Sequence, residues 1–286
     1  MLGGHIDYKL LRPFTHSRNL ATEEDLDGLW LREETFPLEH ALLRLEKFVR
    51  RVNGHLPISP DLSYLDIGCG CGDISIALAH LGAGRVTGVD MMPRNISRAN
   101  MHLREIHPGG SIEFVCADIF SLAHREKFDI VISHEALEHI DRPRPFLSIL
   151  TSFLRPGGKA ILGFGPLFHS PLGDHMSDFF RVTIPWRGVL FSEKAILRLR
   201  AERFRPTEHA SSFSEIRGGL NRMRYSEFLR YVEDAGLAPT FLTVNPQLKR
   251  WRPVFHVSNA LVRIPVLQDF LASSVYAVLQ RTGDAS

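Results

Sequence analysis

A short apolar segment that runs into a glycine-rich turn is the feature that most constrains this chain. Tyr64–Ile67 has the composition of a buried strand, Gly68, Gly70 and Gly72 follow it, and helical spacing of apolar residues resumes at Ile74. Glycines in such a turn let bare backbone approach a ligand, and the helix that follows points its first amides at that ligand. The segment predicts a cofactor-binding unit, but Gly-x-Gly alone is shared by dinucleotide and methyl-donor sites.

Downstream of this turn, apolar segments alternate with helical patterns, as in a parallel α/β sheet. Further strands are predicted at Arg85–Asp90, Ser111–Asp118, Phe128–Ser133 and Lys159–Phe164, with helical segments at 94–106 and 143–153. Asp90 follows the glycine turn by about twenty residues, the span of one βαβ unit, and its carboxylate could accept hydrogen bonds from both hydroxyls of a ribose. The pattern predicts a doubly wound sheet with ligands at the carboxyl ends of its strands.

Four segments resemble, in order and spacing, those of the class I S-adenosylmethionine-dependent methyltransferases. They are Asp66-Ile-Gly-Cys-Gly70, Gly88-Val-Asp90, Ala117-Asp-Ile119 and Leu154-Arg-Pro-Gly-Gly158. The resemblance covers residues 60–165. It implies an α/β fold with a doubly wound, mostly parallel seven-stranded Rossmann-like sheet, N-terminal helices and an inserted helical lid. It also implies S-adenosyl-L-methionine as cofactor, with S-adenosyl-L-homocysteine as product. A nicotinamide site is the weaker interpretation, because a third glycine is expected where Asp73 stands.

The resemblance assigns the cofactor roles residue by residue. Asp66, Gly68 and Gly70 would hold the methionine portion, Asp90 the ribose hydroxyls and Asp118 the adenine amino group, while Ser133 and His134 would border the methyl group; Gly72, Met91 and Ile119 complete the expected cofactor-binding set. Simpler alternatives are that the glycines form a tight turn only and that Asp118 caps the next segment. Cys69 and Cys71 are interpreted as small turn residues, because a metal site would need a second pair of ligands.

We expect one methyltransferase domain over residues 1–286. It divides into an N-terminal helical segment (1–60), a cofactor-binding core (61–165), an inserted substrate lid (166–236, "the insert" below) and C-terminal strands and helix that complete the sheet (237–286). Helices are expected at Glu39–Val52, Ser192–Arg200 with Ser192 as cap, Ser226–Ala235, and Val254–Ala272 with an interruption at Pro265. Strands are expected at Pro239–Asn245 and Ser274–Arg281, and the resemblance implies that the last strand enters antiparallel between the fifth and the sixth.

Composition and charge fit a globular enzyme, with 44% hydrophobic and 23% charged residues. Three cysteines do not make a disulfide framework, which favours a reducing cytoplasm. Neither a signal peptide nor a transmembrane segment is predicted. Residues 181–230 contain eleven Arg or Lys, ten of them arginine, against five Asp or Glu. Arginine suits an anionic substrate or a lipid headgroup, although solvated helix faces are the simpler explanation.

Candidate catalytic residues follow the fourth strand. Methyl transfer to a hydroxyl requires alignment of the acceptor and removal of its proton. His134 lies at the strand end, where the methyl group would point, and is one candidate base. His175 in the insert is another, because the adjacent Asp174 could orient it. His139 is the third candidate, with ordering of the loop beneath the cofactor as its simpler role.

A metal site is the further alternative for this segment. On a helix, Glu135, Glu138 and His139 would share a face. Glu-x-x-Glu-His resembles the metal-binding pattern of the O-methyltransferases of ubiquinone biosynthesis and of the small-RNA terminal-ribose methyltransferases, in which a divalent ion can hold vicinal hydroxyls. His169 or His175 could complete the latter pattern, or both could be turn residues. A metal is not expected.

The function that these residues favour is methyl transfer, with oxygen as the acceptor atom and a histidine as base, to a small-molecule, sugar or lipid-linked acceptor that could be anionic. One alternative is a metal-assisted RNA terminal-ribose methyltransferase, which the modest net charge of +2 disfavours. The other is a binding protein that retains the fold without catalysis. The sequence does not specify the acceptor or the oligomeric state.

Overall fold

The fold is a seven-stranded sheet covered by helices on both faces. A computed structural model describes residues 2–16, 38–122, 126–216, 218–250 and 252–283. The strands are β1 (Ser63–Ile67), β2 (Arg85–Asp90), β3 (Ser111–Cys116), β4 (Phe128–His134), β5 (Leu154–Phe164), β6 (Leu237–Val244) and β7 (Val275–Arg281). Their order is β3-β2-β1-β4-β5-β7-β6, parallel except for β7, which is antiparallel to both of its neighbours. The predicted fold and the position of the last strand are confirmed.

Most of the helices lie close to the predicted segments, whereas those at Leu2–Leu11 and Arg187–Leu190 were not predicted as separate helices. They are α1 (Leu2–Leu11), α2 (Leu38–Arg51), α3 (Asp73–His80), α4 (Pro93–Ile106), α5 (Pro143–Phe153), α6 (Arg187–Leu190), α7 (Glu193–Arg203), α8 (Tyr225–Asp234), α9 (Arg252–Val262) and α10 (Pro265–Leu271). In α2 the buried residues Ala41, Leu45 and Phe48 recur at helical spacing, so one face covers the sheet. None of the described helices combines the length and apolarity needed to cross a bilayer.

The core lies on both faces of the sheet because side chains alternate along each strand. In β5, Ile161 packs on the face covered by α2 and α3, whereas Leu162 and Phe164 pack on the face covered by α5 and α8. The ring of Phe228 in α8 lies 4.9 Å from that of Phe164. The last helix of the insert is therefore part of the core of the sheet.

The rest of the insert forms a third apolar cluster with the N-terminus of the chain. Leu11 of α1 packs with Phe168, Phe204 and Phe213 of the insert. The predicted side-chain cap at Ser192 is wrong: its hydroxyl caps nothing, and its backbone amide donates to Asp7 of α1 at 2.8 Å. The N-terminal helix is thus packed on the insert and fastened to it by a hydrogen bond.

Two predicted strand boundaries also differ. The third strand ends at Cys116 and not at Asp118, because Asp118 accepts a hydrogen bond from the amide of Phe120 at 3.0 Å and starts a turn. The fifth strand begins at Leu154, which pairs with Phe128, and Gly157 at φ +76° accommodates the irregular register that follows.

A buried ion pair stabilises the insert. Arg187 donates to both carboxylate oxygens of Asp174, at 2.7 and 2.9 Å, and both side chains are 3% exposed. The guanidinium carbon also lies 3.7 Å from the ring centroid of Phe180. Removing one member of such a pair leaves the other charge buried without its partner, which costs more than the pair contributes.

We therefore expect Arg187→Met to lower the free energy of unfolding by about 3–5 kcal/mol in urea titrations followed by circular dichroism. Arg198→Met is the matched control, because Arg198 forms an exposed pair with Glu202, and it should leave the urea midpoint nearly unchanged. Equal midpoints for the two variants would contradict the assigned role of the buried pair.

Candidate active site

The glycine turn after β1 is held against the end of β2 by backbone hydrogen bonds. The amides of Gly68 and Cys69 both donate to the carbonyl of Val89, at 2.8 and 3.0 Å, and the amide of Gly70 donates to the Asp90 carboxylate at 3.0 Å. Gly68 and Gly70 have φ of +75° and +54°, which residues with a side chain rarely adopt. The first predicted site residues are thus brought together.

The turn has a closed side and an open side. A Cβ on Gly68 would lie 2.6 Å from the Cβ of Ala136, and one on Gly72 would lie 2.7 Å from the ring of Phe114. A Cβ on Gly70 would meet no atom of the described residues within 4 Å. Gly68 and Gly72 therefore serve close packing, whereas Gly70 borders open space at the position where the sequence predicts the methionine end of the cofactor.

The carboxylate of Asp90 organises the end of β2. Besides Gly70 it accepts hydrogen bonds from the amide of Met92 at 2.8 Å and the side-chain amide of Asn95 at 3.2 Å. Met91 is exposed beside it, with its carbonyl 3.9 Å from the thiol of Cys116 at the end of β3. The fixed carboxylate and an exposed apolar side chain lie where the sequence predicts the ribose and its base.

Two predicted cofactor residues have other partners in the structure. Asp66 is buried beneath α3 and accepts a hydrogen bond from the Ser75 hydroxyl at 2.6 Å. Burial raises the pKa of Asp66 to about 6. Asp118 is exposed and bonds to the following turn, which agrees with the capping alternative, while Ile119 packs in the core. Asp66 therefore supports the turn from below, and only Asp118 of the two has access to solvent.

The end of β4 carries buried polar atoms that have no hydrogen-bond partner among the described residues, although Nε2 of His134 lies 3.9 Å from the Glu135 carboxylate. They are the hydroxyl of Ser133 and both ring nitrogens of His134. The ring of His134 lies 4.5 Å from that of Phe48 and 6.4 Å from that of Tyr276. Burial lowers the pKa of His134 to about 4, so its imidazole is neutral at pH 7. Buried polar groups without hydrogen-bond partners are uncommon in folded proteins. Where they do occur, a ligand often supplies the missing bonds.

The helix considered for Glu135, Glu138 and His139 does not form. Glu135 has φ +55° and binds Arg44, and a single 3-10 turn follows at Leu137–His139. Glu138 turns inward instead, and its carboxylate accepts the amide of Gly165 at 3.0 Å. The two carboxylates face different partners, and no three His, Cys, Asp or Glu side chains converge on a possible metal position in the part of the chain that the structure describes.

Glu138 has a property that the sequence did not reveal. Its second carboxylate oxygen is buried and has no hydrogen-bond partner among the residues that the structure describes, and burial raises the pKa of Glu138 to about 7. Spacing alone could not indicate this, because the residue is buried only through the tight turn that replaces the expected helix. Glu138 is therefore a titratable group near neutral pH at the candidate site.

The insert brings two of the candidate histidines together. The rings of His139 and His175 are 5.4 Å apart, edge to face. His139 Nδ1 lies 2.7 Å from the carbonyl of Gly219, and His175 Nε2 lies 2.9 Å from that of Pro166. The sequence predicts that Asp174 orients His175. In the structure it does not, because Arg187 binds both carboxylate oxygens of Asp174.

His169 is separate from this pair. Its ring packs against those of Phe168 and Phe270, at 5.4 and 6.4 Å, and Nδ1 is buried without a partner. Burial lowers the pKa of His169 and that of His175. His169 and His175 therefore pack within the protein and do not form a ligand set with Glu135.

Two residues that the sequence did not single out fix the loop after β4. Arg44 of α2 donates to Asp73 at 2.6 Å and to Glu135 at 2.8 Å, so it joins the start of α3 to the end of β4. Asn221 of the insert donates its side-chain amide to the carbonyls of Leu137 and Ile140, at 2.6 and 2.8 Å. Their partners are far away in sequence, so local spacing holds no signal for either.

The excess of arginine in the insert is largely neutralised by ion pairs. Arg217 lies outside the described residues. Six of the other arginines contact carboxylates, namely Arg187 with Asp174, Arg198 with Glu202, Arg200 with Glu208, Arg222 with Glu193, Arg224 with Asp269 and Arg230 with Glu227. Most of the local positive charge therefore serves the structure of the insert.

Comparison with known proteins agrees with the fold of the cofactor-binding core. Residues 58–165 match a family described as a methyltransferase domain. The mitochondrial ubiquinone biosynthesis O-methyltransferase of Dictyostelium discoideum is 30% identical over 177 residues, which cover 52% of this chain and 55% of that protein. The ubiquinone biosynthesis O-methyltransferase of Parvibaculum lavamentivorans is 41% identical over 99 residues, covering 34% and 38%. The chain thus spans about half, or less, of the length of these curated relatives.

Solved structures resemble the whole fold at low sequence identity. Geranyl diphosphate C-methyltransferase from Streptomyces coelicolor is 18% identical with a TM-score of 0.52, over 84% of this chain and 78% of that chain. An S-adenosylmethionine-dependent methyltransferase from Mesorhizobium loti is also 18% identical with a TM-score of 0.52, over 81% and 96%. The strand order, the glycine turn and the family match lead to one conclusion: residues 58–165 form a methyltransferase domain of the class I, S-adenosylmethionine-dependent type.

Proposed function

We propose that this protein is an S-adenosylmethionine-dependent O-methyltransferase that acts on a small-molecule acceptor. The observation that carries the proposal is the open side of the turn at Gly70, at the same edge of the sheet as the buried and unpartnered polar atoms of Ser133 and His134. Parallel strands β1, β2 and β4 end together at this edge, so a ligand along it would reach all three.

The residues present fit the cofactor. Gly70 leaves room for its methionine end, the Asp90 carboxylate lies at the end of β2 for the ribose, and exposed Met91 and Asp118 flank the position of the adenine. When bound, the cofactor supplies a methyl group on a sulfonium. The leaving group is a neutral thioether, which needs no protonation. The protein must therefore hold the acceptor in line and take its proton.

His134 is our proposed base, with Glu138 as the competing group. The low pKa keeps His134 neutral and able to accept a proton at pH 7, although it also makes the imidazole a weak base. The pKa of Glu138 lies closer to the working pH, which favours proton transfer, but one of its oxygens is engaged by Gly165. His139 and His175 are assigned to loop ordering, because each ring already bonds to a backbone carbonyl.

Oxygen is proposed as the acceptor atom because the curated relatives are named O-methyltransferases of ubiquinone biosynthesis. An anionic acceptor gains little support from the insert, whose arginines are mostly paired; a lipid-linked acceptor is compatible with the apolar surface described below. The RNA alternative loses its support, since the two glutamates of its metal-binding pattern face apart. We place the protein in a reducing compartment such as the cytoplasm, where the free thiols of Cys69, Cys71 and Cys116 would persist.

The first test places a side chain in the open space at Gly70. Asparagine tolerates positive φ better than other residues, so Gly70→Asn should fold while filling the cofactor position. We expect calorimetry to show binding of S-adenosylmethionine at least about tenfold weaker than in the wild type, which corresponds to about 1.4 kcal/mol.

The matched control is Gly82→Asn. Gly82 also has positive φ and open space around an added Cβ. It lies between α3 and the start of β2, away from the carboxyl ends of the strands. It should bind S-adenosylmethionine as the wild type does. Unchanged affinity in Gly70→Asn, with a normal melting temperature, would contradict the proposed cofactor position.

The second test identifies the base from the pH dependence of kcat/KM for the acceptor. A base works when deprotonated, so with His134 the rate should be constant between pH 5.5 and 8 and fall only as the pH approaches about 4. His134→Gln should lower kcat by about 10²–10⁴-fold. It should leave cofactor affinity nearly unchanged.

Glu138→Gln is the variant that decides between the two groups. If Glu138 were the base, the wild-type rate would already fall below pH 7, and Glu138→Gln would abolish that dependence together with most of the activity. That result would overturn the histidine assignment. A different result would favour the non-catalytic alternative: the wild type, His134→Gln and Glu138→Gln all bind the cofactor, but none of them methylates any hydroxylated acceptor.

A further inference from the structure

The connection between β6 and β7 exposes an unusual number of apolar side chains. It consists of α9 and α10, called the α9–α10 hairpin below. Val257 is 59% exposed, Ile264 43% and Val266 77%, and Leu267 is exposed beside them. Large apolar side chains exposed singly are ordinary, but a contiguous group of them marks an interaction surface.

The exposed residues of α9 lie on one face. Pro253, His256, Val257 and Ala260 are all exposed, and their spacing of three and four places them along a single stripe. The opposite face is anchored to the protein, since Val262 is buried and the Ser258 hydroxyl accepts a hydrogen bond from Asn245 at 2.9 Å. The stripe thus belongs to a fixed helix and faces away from the core.

Positive charge prevails in this region, because the one carboxylate of the hairpin, Asp269, is only 14% exposed and is paired with Arg224. From Leu237 to Gln268 the sequence contains no Asp or Glu, and its four bases are Lys249, Arg250, Arg252 and Arg263. Arg252 and Arg263 are exposed at the two ends of α9 and flank the apolar stripe. An apolar stripe bordered by cations is complementary to a surface that has anionic groups on the outside and an apolar interior beneath them.

The hairpin lies at the same edge of the sheet as the candidate active site. Because β7 is antiparallel, its first residue, Val275, pairs with Phe164 at the end of β5, next to the pairing of His134 with Gly163. The indole of Trp186 in the insert donates to the carbonyl of Phe270 in α10 at 2.8 Å. In the same segment Leu190 is 67% exposed, so the part of the insert that bonds to the hairpin also exposes an apolar side chain.

We propose that the α9–α10 hairpin docks the protein on the surface of an anionic lipid bilayer. Val257, Val266 and their neighbours would enter the boundary between headgroups and acyl chains, while Arg252 and Arg263 would meet anionic headgroups. Docking in this way turns the carboxyl edge of the sheet toward the membrane. The docking itself does not depend on the proposed methyl transfer, but it would give a lipid-linked acceptor a short path to the site.

Flotation of the full chain with vesicles tests the proposal without cofactor or acceptor. The wild type should float with vesicles of phosphatidylcholine and phosphatidylglycerol, bind those of phosphatidylcholine alone far less, and detach as salt screens the headgroups. The double variant Val257→Asp/Val266→Asp should lose at least about tenfold in vesicle affinity, because each carboxylate opposes both insertion and the anionic surface.

Two matched controls separate this surface from general effects. Leu81→Asp/Met101→Asp introduces the same charges at exposed apolar positions directly after α3 and within α4, outside the hairpin, and should bind vesicles as the wild type does. Arg252→Gln/Arg263→Gln should weaken binding only to anionic vesicles, whereas Arg104→Gln should not. Because the assay contains no acceptor, its failure is distinct from a failure of catalysis.

Three outcomes would overturn the proposal. One is no flotation of the wild type with anionic vesicles, and a second is equal loss in the hairpin variant and the Leu81→Asp/Met101→Asp control. The third is a dimer in light scattering that Val257→Asp/Val266→Asp dissociates, with no vesicle binding, which would assign the surface to a second copy of the chain.

Discussion

The site depends on one set of hydrogen bonds, those that hold the turn after β1 against the end of β2. The carbonyl of Val89 receives the amides of Gly68 and Cys69, and the carboxylate of Asp90 receives that of Gly70. The turn therefore has a fixed shape before any ligand arrives. A ligand then loses less conformational entropy on binding, because the backbone that it contacts is already ordered. The other elements at this edge are positioned relative to that turn.

The fold could be predicted largely from local patterns, and the site only in part. Strand Tyr64–Ile67 is recognisable as a short run in which every residue is buried, and helix α2 because its buried residues recur at helical spacing. The same reasoning fails for the segment after β4. The sequence permits a helix there, but Glu135 adopts positive φ and Glu138 turns toward Gly165. The side chains of Arg44 and Asn221 act across long stretches of sequence, which periodicity cannot register.

Burial explains why the pKa values at the site diverge. The imidazole of His134 and the carboxylate of Glu138 each lose hydration, which disfavours the charged form of both, so the histidine becomes more acidic and the glutamate less so. At neutral pH the protein therefore keeps a neutral imidazole and a carboxyl group that is about half protonated next to the expected sulfonium position. Their unmet hydrogen bonds are a cost to the folded state that a polar ligand can offset.

The place of β7 in the sheet has a consequence for how the protein is made. In the described sheet β6 pairs with β7 and with no other strand, so it cannot join β5 until the residues of β7 have left the ribosome. Until then both β5 and β6 present open strand edges, which are templates for wrong pairing. The hairpin between β6 and β7 is synthesised during that interval. Biogenesis of this protein is thus exposed to aggregation late in translation, when most of its core already exists.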